Sequence, residues 1–130
     1  MCGIISIINI DNSAELVDEL NEIQAHRGPD FQSKWHNDNV TLGHQRLSII
    51  DLTERSNQPL VKEGLVIVFN GEIYNDLQLK SGLLELGIEF STEADTEVVL
   101  EMFRKYGVDC LNLFEGMYSF AVYNINTGNT

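Results

Sequence analysis

Basic residues are scarce in this chain: 8 Lys and Arg stand against 20 Asp and Glu, for a formal net charge of −12 at pH 7. A nucleic-acid surface needs positive charge to meet phosphates, so no partner of that class is expected. Cysteine is scarce too. The 2 residues, Cys2 and Cys110, lie far apart without metal-ligand spacing, so neither a disulfide framework nor a metal site is expected. A reducing cytoplasm is the expected setting. No apolar run reaches the roughly 18 to 20 residues that a membrane span needs. The apolar start, Gly3 to Ile10, lacks the basic flank and cleavage site of a signal peptide. There is no internal repeat, no low-complexity tract and no phosphate-cradling glycine loop. What is present is 43% hydrophobic content over 130 residues, ordinary for one globular domain or part of one. The acids fall in stretches such as "AELVDEL" and "TEVVLE", which read as solvated helix faces.

"GIISIINI" is rich in β-branched residues and reads as a buried strand. Asn12 with Glu15 resembles a capping box that opens a helix whose inner face is Leu16, Val17, Leu20 and Ile23. Gly28-Pro29 ends that stretch. Phe31, Ser33 and Trp35 alternate as a strand that turns at "HNDN", and Val40–Leu42 and Arg46–Ile50 read as further strand. After a loop at "SNQP", "LVIVF" is the clearest strand of the chain. A helix is expected from about Asp76, with Leu77, Leu83, Leu84 and Leu86 apolar and Gly87 at its C′ position. A second helix takes Asp95 as N-cap, Val98, Val99, Met102 and Phe103 as core face, and Gly107 as stop. "MYSFAVYN" is a last apolar strand, and Asn126–Asn129 resemble a hairpin turn with no return strand. An unpaired core strand would leave an open edge, so a fragment or truncated domain is expected. The pattern predicts an α+β fold with a largely antiparallel sheet.

Some short stretches are too polar or glycine-rich for their surroundings: "MCGI", "HRGPD", "GHQRLSIID", "FNGEIYN" and "EADTE". Each has an ordinary structural reading on its own. "HRGPD" reads as a turn, Arg46 as a strand cation, "FNG" as a strand-ending turn, and Asp95 as a helix cap.

Taken in order, "MCGI", "HRGPD", "GHQRLSIIDL", "QPL", "FNGEIYN", "DTEVVL" and "FEGMYSFAVY" resemble the glutaminase domain of asparagine synthetases. That family is a class II glutamine amidotransferase of the N-terminal-nucleophile hydrolase type, and the resemblance spans residues 1–130. It implies a layered αββα sheet sandwich, incomplete here at its C-terminus. It also implies hydrolysis of L-glutamine to glutamate and ammonia through a thioester on an N-terminal cysteine. Hydrolysing a carboxamide needs a nucleophile, a base to activate it and donors for the oxyanion. Cys2 supplies the first two once Met1 is trimmed, because its thiol and a free α-amine then share one residue. The ordinary pKa of such an amine is about 7.7, so roughly a sixth is neutral at pH 7. With Met1 retained, the amine is locked in a peptide bond and the thiol has no base.

By resemblance, Asn70 is the oxyanion donor through its side-chain amide and Gly71 the second donor through its backbone N–H. Arg46 clamps the substrate α-carboxylate, Asp95 pairs with the α-ammonium, and Glu72 assists it. Ala94 stands where the family has a small hydroxyl residue or glycine. Arg27 and Asp30 are expected to hold the loop around the pocket, His26, His36 and His44 to be structural, and Cys110 to be a core thiol. No cofactor or metal is expected in this domain; ATP and magnesium would serve only a C-terminal synthetase domain of the same protein, absent from this stretch. Two other readings stay open. One is an inactive or truncated glutamine-binding domain, and the other is an amidotransferase half serving an acceptor other than aspartate.

Overall fold

The computed structural model describes residues 2–47 and 54–130. "GIISII" forms β1 (Gly3–Ile8), and after a turn the chain enters helix α1 (Ser13–Ile23). A single 3-10 turn at Ala25–Arg27 leads into β2 (Phe31–His36) and β3 (Val40–Arg46). A second 3-10 turn, Glu54–Ser56, precedes the short β4 (Leu60–Lys62) and the long β5 (Leu65–Ile73). Helices α2 (Asp76–Glu85) and α3 (Asp95–Tyr106) follow, then a 3-10 segment and β6 (Gly116–Asn124).

Among the described residues the strands form two antiparallel sheets of three, in the orders β1-β3-β2 and β4-β5-β6. They stack face to face through Val40, Leu42, Val66, Val68 and Tyr123, with Ile4, Trp35 and Ala121 at the margin. Helix α1 covers the outer face of the first sheet, where Val17 and Leu20 meet Ile5 and Ile7. Helices α2 and α3 cover the second sheet, with Val99 and Leu100 against Leu65, Ile67, Phe69 and Ile73. Two sheets between two helical layers are the αββα sandwich that the resemblance implied.

Local chemistry explains several departures from expectation. Asn12 makes no side-chain cap; it is left-handed (φ 56°), and its carbonyl accepts the Leu16 N–H. The capping box is therefore absent. Of the expected inner face of α1, Leu16 and Ile23 are exposed, because β3 receives the helix mainly at Val17. On α2, Leu77, Leu84 and Leu86 are likewise exposed, and Leu83 carries the packing. Gly87 does end that helix: its N–H reaches the Leu84 carbonyl and that of Ile88 reaches Leu83, a Schellman closure with Gly87 left-handed (φ 82°). The expected break between Val40–Leu42 and Arg46 is filled by one continuous strand, β3; Ser48–Ile50 of that expectation lie outside the described residues. Asp95 is the first residue of α3, not its cap, a place taken by Ala94. "FNG" does not end its strand either, since β5 runs on to Ile73 paired with β6. Beyond Asn124 the chain turns and bridges back at Asn129.

Candidate functional site

The cavity opens where the core between the sheets turns polar. Alternation on β3 carries the facing row from Val40 and Leu42 to His44 and Arg46, while on β5 it runs from Val66 and Val68 to Asn70 and Glu72. Both rows change character at the same end of the sandwich. Apolar side chains give way to polar and charged ones, and a cavity of about 280 Å³ opens between them. Cys2, Arg46, Asn70, Gly71, Glu72 and Asp95 all line it, so the six residues singled out in the sequence share one space.

Cys2 enters just before β1. Its Sγ accepts the Leu47 N–H at 3.4 Å and lies 3.8 Å from the Leu47 carbonyl. Its own carbonyl accepts a hydrogen bond from Arg27 Nε at 3.1 Å. The "HRGPD" segment is laid along the end of β3 by the Pro29–Arg46 bridge and by Asp30 N–H donating to the Arg46 carbonyl. It thereby frames the thiol. Arg46 is buried, with Nη1 donating to Asn57 Oδ1. Asn70, Gly71 and Glu72 pair with Ser119, Tyr118 and Met117 of β6. At Gly71 the backbone has φ 148°, and a Cβ there would meet the Met117 carbonyl oxygen at 2.3 Å. The absence of a side chain serves the approach of β6 as much as that of any ligand.

Asp95 projects from the start of α3, where its Oδ2 accepts the Ile73 N–H at 3.2 Å. Burial pushes its carboxyl up to about 6, helped by the charges of Asp76 and Glu72 and opposed by the Ile73 and Thr96 N–H groups. At neutral pH it is mostly an anion. The loop before it is clamped from below. Glu97, fully buried, accepts from the Ser91 and Thr92 backbone and hydroxyl groups and pairs with Lys62 at 2.8 Å. Burial pushes the Glu97 carboxyl up, but Lys62 and these donors outweigh it and bring it down to about 2.

His44, Gln58 and Thr96 also line the cavity; they lie within "GHQRLSIID", "QPL" and "DTEVVL", but the motifs gave them no place in the site. His44 was expected to be structural. It is 1% exposed, and neither ring nitrogen has a partner in good hydrogen-bond geometry among the described residues. Burial pushes its pKa down to about 4; the Phe69 backbone opposes this and Arg46 adds to it, so the ring is neutral. The signal for it was the alternating row ending in Arg46. His26 and His36 lie elsewhere, on the Ile23 carbonyl and the Thr41 hydroxyl, and Cys110 is a buried thiol in the α2–α3 core.

The layering and the cavity define the class first: an N-terminal-nucleophile amidotransferase fold. It is shared with a solved glutamine phosphoribosylpyrophosphate amidotransferase from B. subtilis complexed with ADP and GMP. The TM-score is 0.57 at 26% identity, over 65% of this chain and 21% of that one. Within that class the chain belongs to the glutamine amidotransferase domain family, whose profile matches residues 1–130. It is 38% identical over 134 residues to asparagine synthetase (glutamine-hydrolyzing) 1 of Bacillus subtilis, covering 97% of this chain and 21% of that protein. It is 36% identical over 132 residues to asparagine synthetase B (glutamine-hydrolyzing) of Escherichia coli, covering 95% of this chain and 23% of that protein. The chain thus spans between a fifth and a quarter of the length of these relatives.

Proposed function

We propose that this chain is the glutaminase part of an asparagine synthetase-like amidotransferase, releasing ammonia from free L-glutamine through a thioester on Cys2. What carries the reading is one cavity holding a thiol, an Asn-Gly pair, and an arginine and an aspartate on different walls. Cys2 Sγ attacks the γ-carboxamide carbon, forming a C–S bond and moving the carbonyl electron pair onto oxygen. The Asn70 side-chain amide and the Gly71 N–H donate to that oxyanion. The Cys2 α-amine, free once Met1 is removed, takes the Sγ proton during the attack and passes it to the nitrogen as the C–N bond breaks and ammonia leaves. Water hydrolyses the thioester to glutamate. Arg46 holds the α-carboxylate and Asp95, assisted by Glu72, the α-ammonium; a glutamine within a peptide lacks both charges.

The ammonia would pass to aspartate, as the names of the relatives suggest. ATP and magnesium would serve a C-terminal synthetase domain, the expected partner of this one, with residues 1–130 a truncated glutaminase domain. A cytoplasmic setting suits a chain whose Cys2 and Cys110 are both free thiols. Among the described residues no helix is long and apolar enough to cross a membrane.

The test is the intact mass of the purified protein before and after exposure to a diazoketone analogue of glutamine. Loss of Met1 followed by a single adduct on Cys2, blocked by glutamine and absent from Cys2→Ser, is the expected result. With Met1 gone, absence of an adduct overturns the reading.

A further inference from the structure

We propose that Gln58 is a positioning residue that ties the oxyanion wall of the cavity to its ammonium-binding wall; the proposal rests on the glutaminase reading above. Strand β4 covers the edge of β5 only as far as the Leu60–Ile67 pair. Past that point β5 continues toward Asn70 without a strand on that side among the described residues. The Gln58 side chain takes the strand's place. Its Oε1 accepts the Phe69 N–H at 2.5 Å, and its Nε2 donates to Thr96 Oγ1 at 3.0 Å. Its backbone carbonyl accepts the Ser33 hydroxyl of the opposite sheet.

Phe69 immediately precedes Asn70, and Thr96 immediately follows Asp95. One planar amide therefore sets the distance between the residues beside the oxyanion donor and beside the ammonium anchor. An amide suits this place: its oxygen accepts from the Phe69 N–H while its nitrogen meets the Thr96 hydroxyl, without burying the charge that a carboxylate would bring. A hydroxyl is too short to reach both partners, and a lysine has no acceptor for Phe69. Gln58 is 7% exposed, so neither bond has ready competition from water. It touches no substrate atom in this assignment; it holds in register the two groups that do.

The test compares Gln58→Met with Thr96→Val in steady-state glutaminase kinetics of the full protein. Gln58→Met fills the volume but makes neither bond, so both walls shift. The expected result is a kcat about tenfold lower or worse, together with a KM about tenfold higher, since displacement by an ångström costs up to about a hundredfold. Thr96→Val breaks only the helix arm, so its KM rises while kcat stays within about twofold. If Gln58→Met folds, as judged by circular dichroism, and changes neither parameter, the proposal is overturned. If it does not fold, Thr96→Val decides alone: an unchanged KM overturns it. Should the parent protein lack glutaminase activity, the glutaminase reading falls, and amide hydrogen exchange still reads the strut. Faster exchange at Phe69 in Gln58→Met supports it, and unchanged exchange there overturns it.

Discussion

Under the proposed function Asp95 meets two demands that conflict. Burial favours its neutral form and holds the carboxyl at about 6, whereas an ammonium partner needs the anion. If it anchors glutamine, KM for glutamine climbs as pH drops below about 6 and the carboxyl takes up a proton. Asp95→Asn should raise KM by about a hundredfold near pH 8, the cost of leaving a charge unpaired in a buried site, and should lose that acid limb. Initial rates of ammonia release across pH 5–8 check both. Much of the site was legible at this scale. Cys2, Arg46, Asn70, Gly71, Glu72 and Asp95 are polar or glycine residues in apolar surroundings, and their order resembles a family. Gln58 and Thr96 were not legible as struts. Their work depends on the distance across two loops, which no local pattern encodes.

At the scale of elements, strands and helices were legible where a β-branched apolar run or a framed helical face was strong, as in "LVIVF" and "DTEVVLEMF". Ends and inner faces were less so. The Asn70-Gly71 pair has the chemistry of a turn, yet β6 runs alongside and keeps it extended to Ile73. Leu77 and Leu84 have the chemistry of a core, yet Leu83 meets α3 and they face outward. Tertiary partners decided both cases. The β5–β6 contact at Gly71 yields its own expectation. Gly71→Ala would drive a methyl group into the Met117 carbonyl at an unfavourable φ, and should cost about 3 kcal/mol of stability. Urea denaturation of the variant beside the parent measures it, and a loss within about half a kcal/mol would contradict the strand contact.

For the whole molecule, two buried groups push the pH dependence of stability in opposite directions. His44 is held below its ordinary 6.5, at about 4. Above 6.5 it costs nothing; as pH falls from 6.5 toward 4 the unfolded chain takes up a proton that the fold refuses, and about 3 kcal/mol is lost. Asp95 is held above its ordinary 3.8. Its charge penalises the fold fully above about 6, and that penalty, again about 3 kcal/mol, is released as pH falls toward 4. The two nearly cancel between pH 4 and 6. In that window His44→Asn should gain stability on acidification and Asp95→Asn should lose it, the slopes of denaturation free energy against pH having opposite signs. Parallel slopes would contradict this balance. Below about 4.5 Glu97 takes over: its carboxyl sits at about 2, so stability falls as that group is forced to protonate.

The cavity has its jaws on different layers, with Cys2 and Arg46 on the first sheet and Asn70 and Asp95 on the second sheet and its helix. It is a pair of callipers whose setting is the alignment of one sheet over the other. The screw that fixes the gauge is the row of Val40, Leu42, Val66 and Val68, which lies outside the lining of the cavity. If glutamine is the substrate, as proposed, a slip between the layers too small to melt either sheet would still set the jaws to the wrong length for it. Activity in such a molecule is lost by misalignment before it is lost by unfolding.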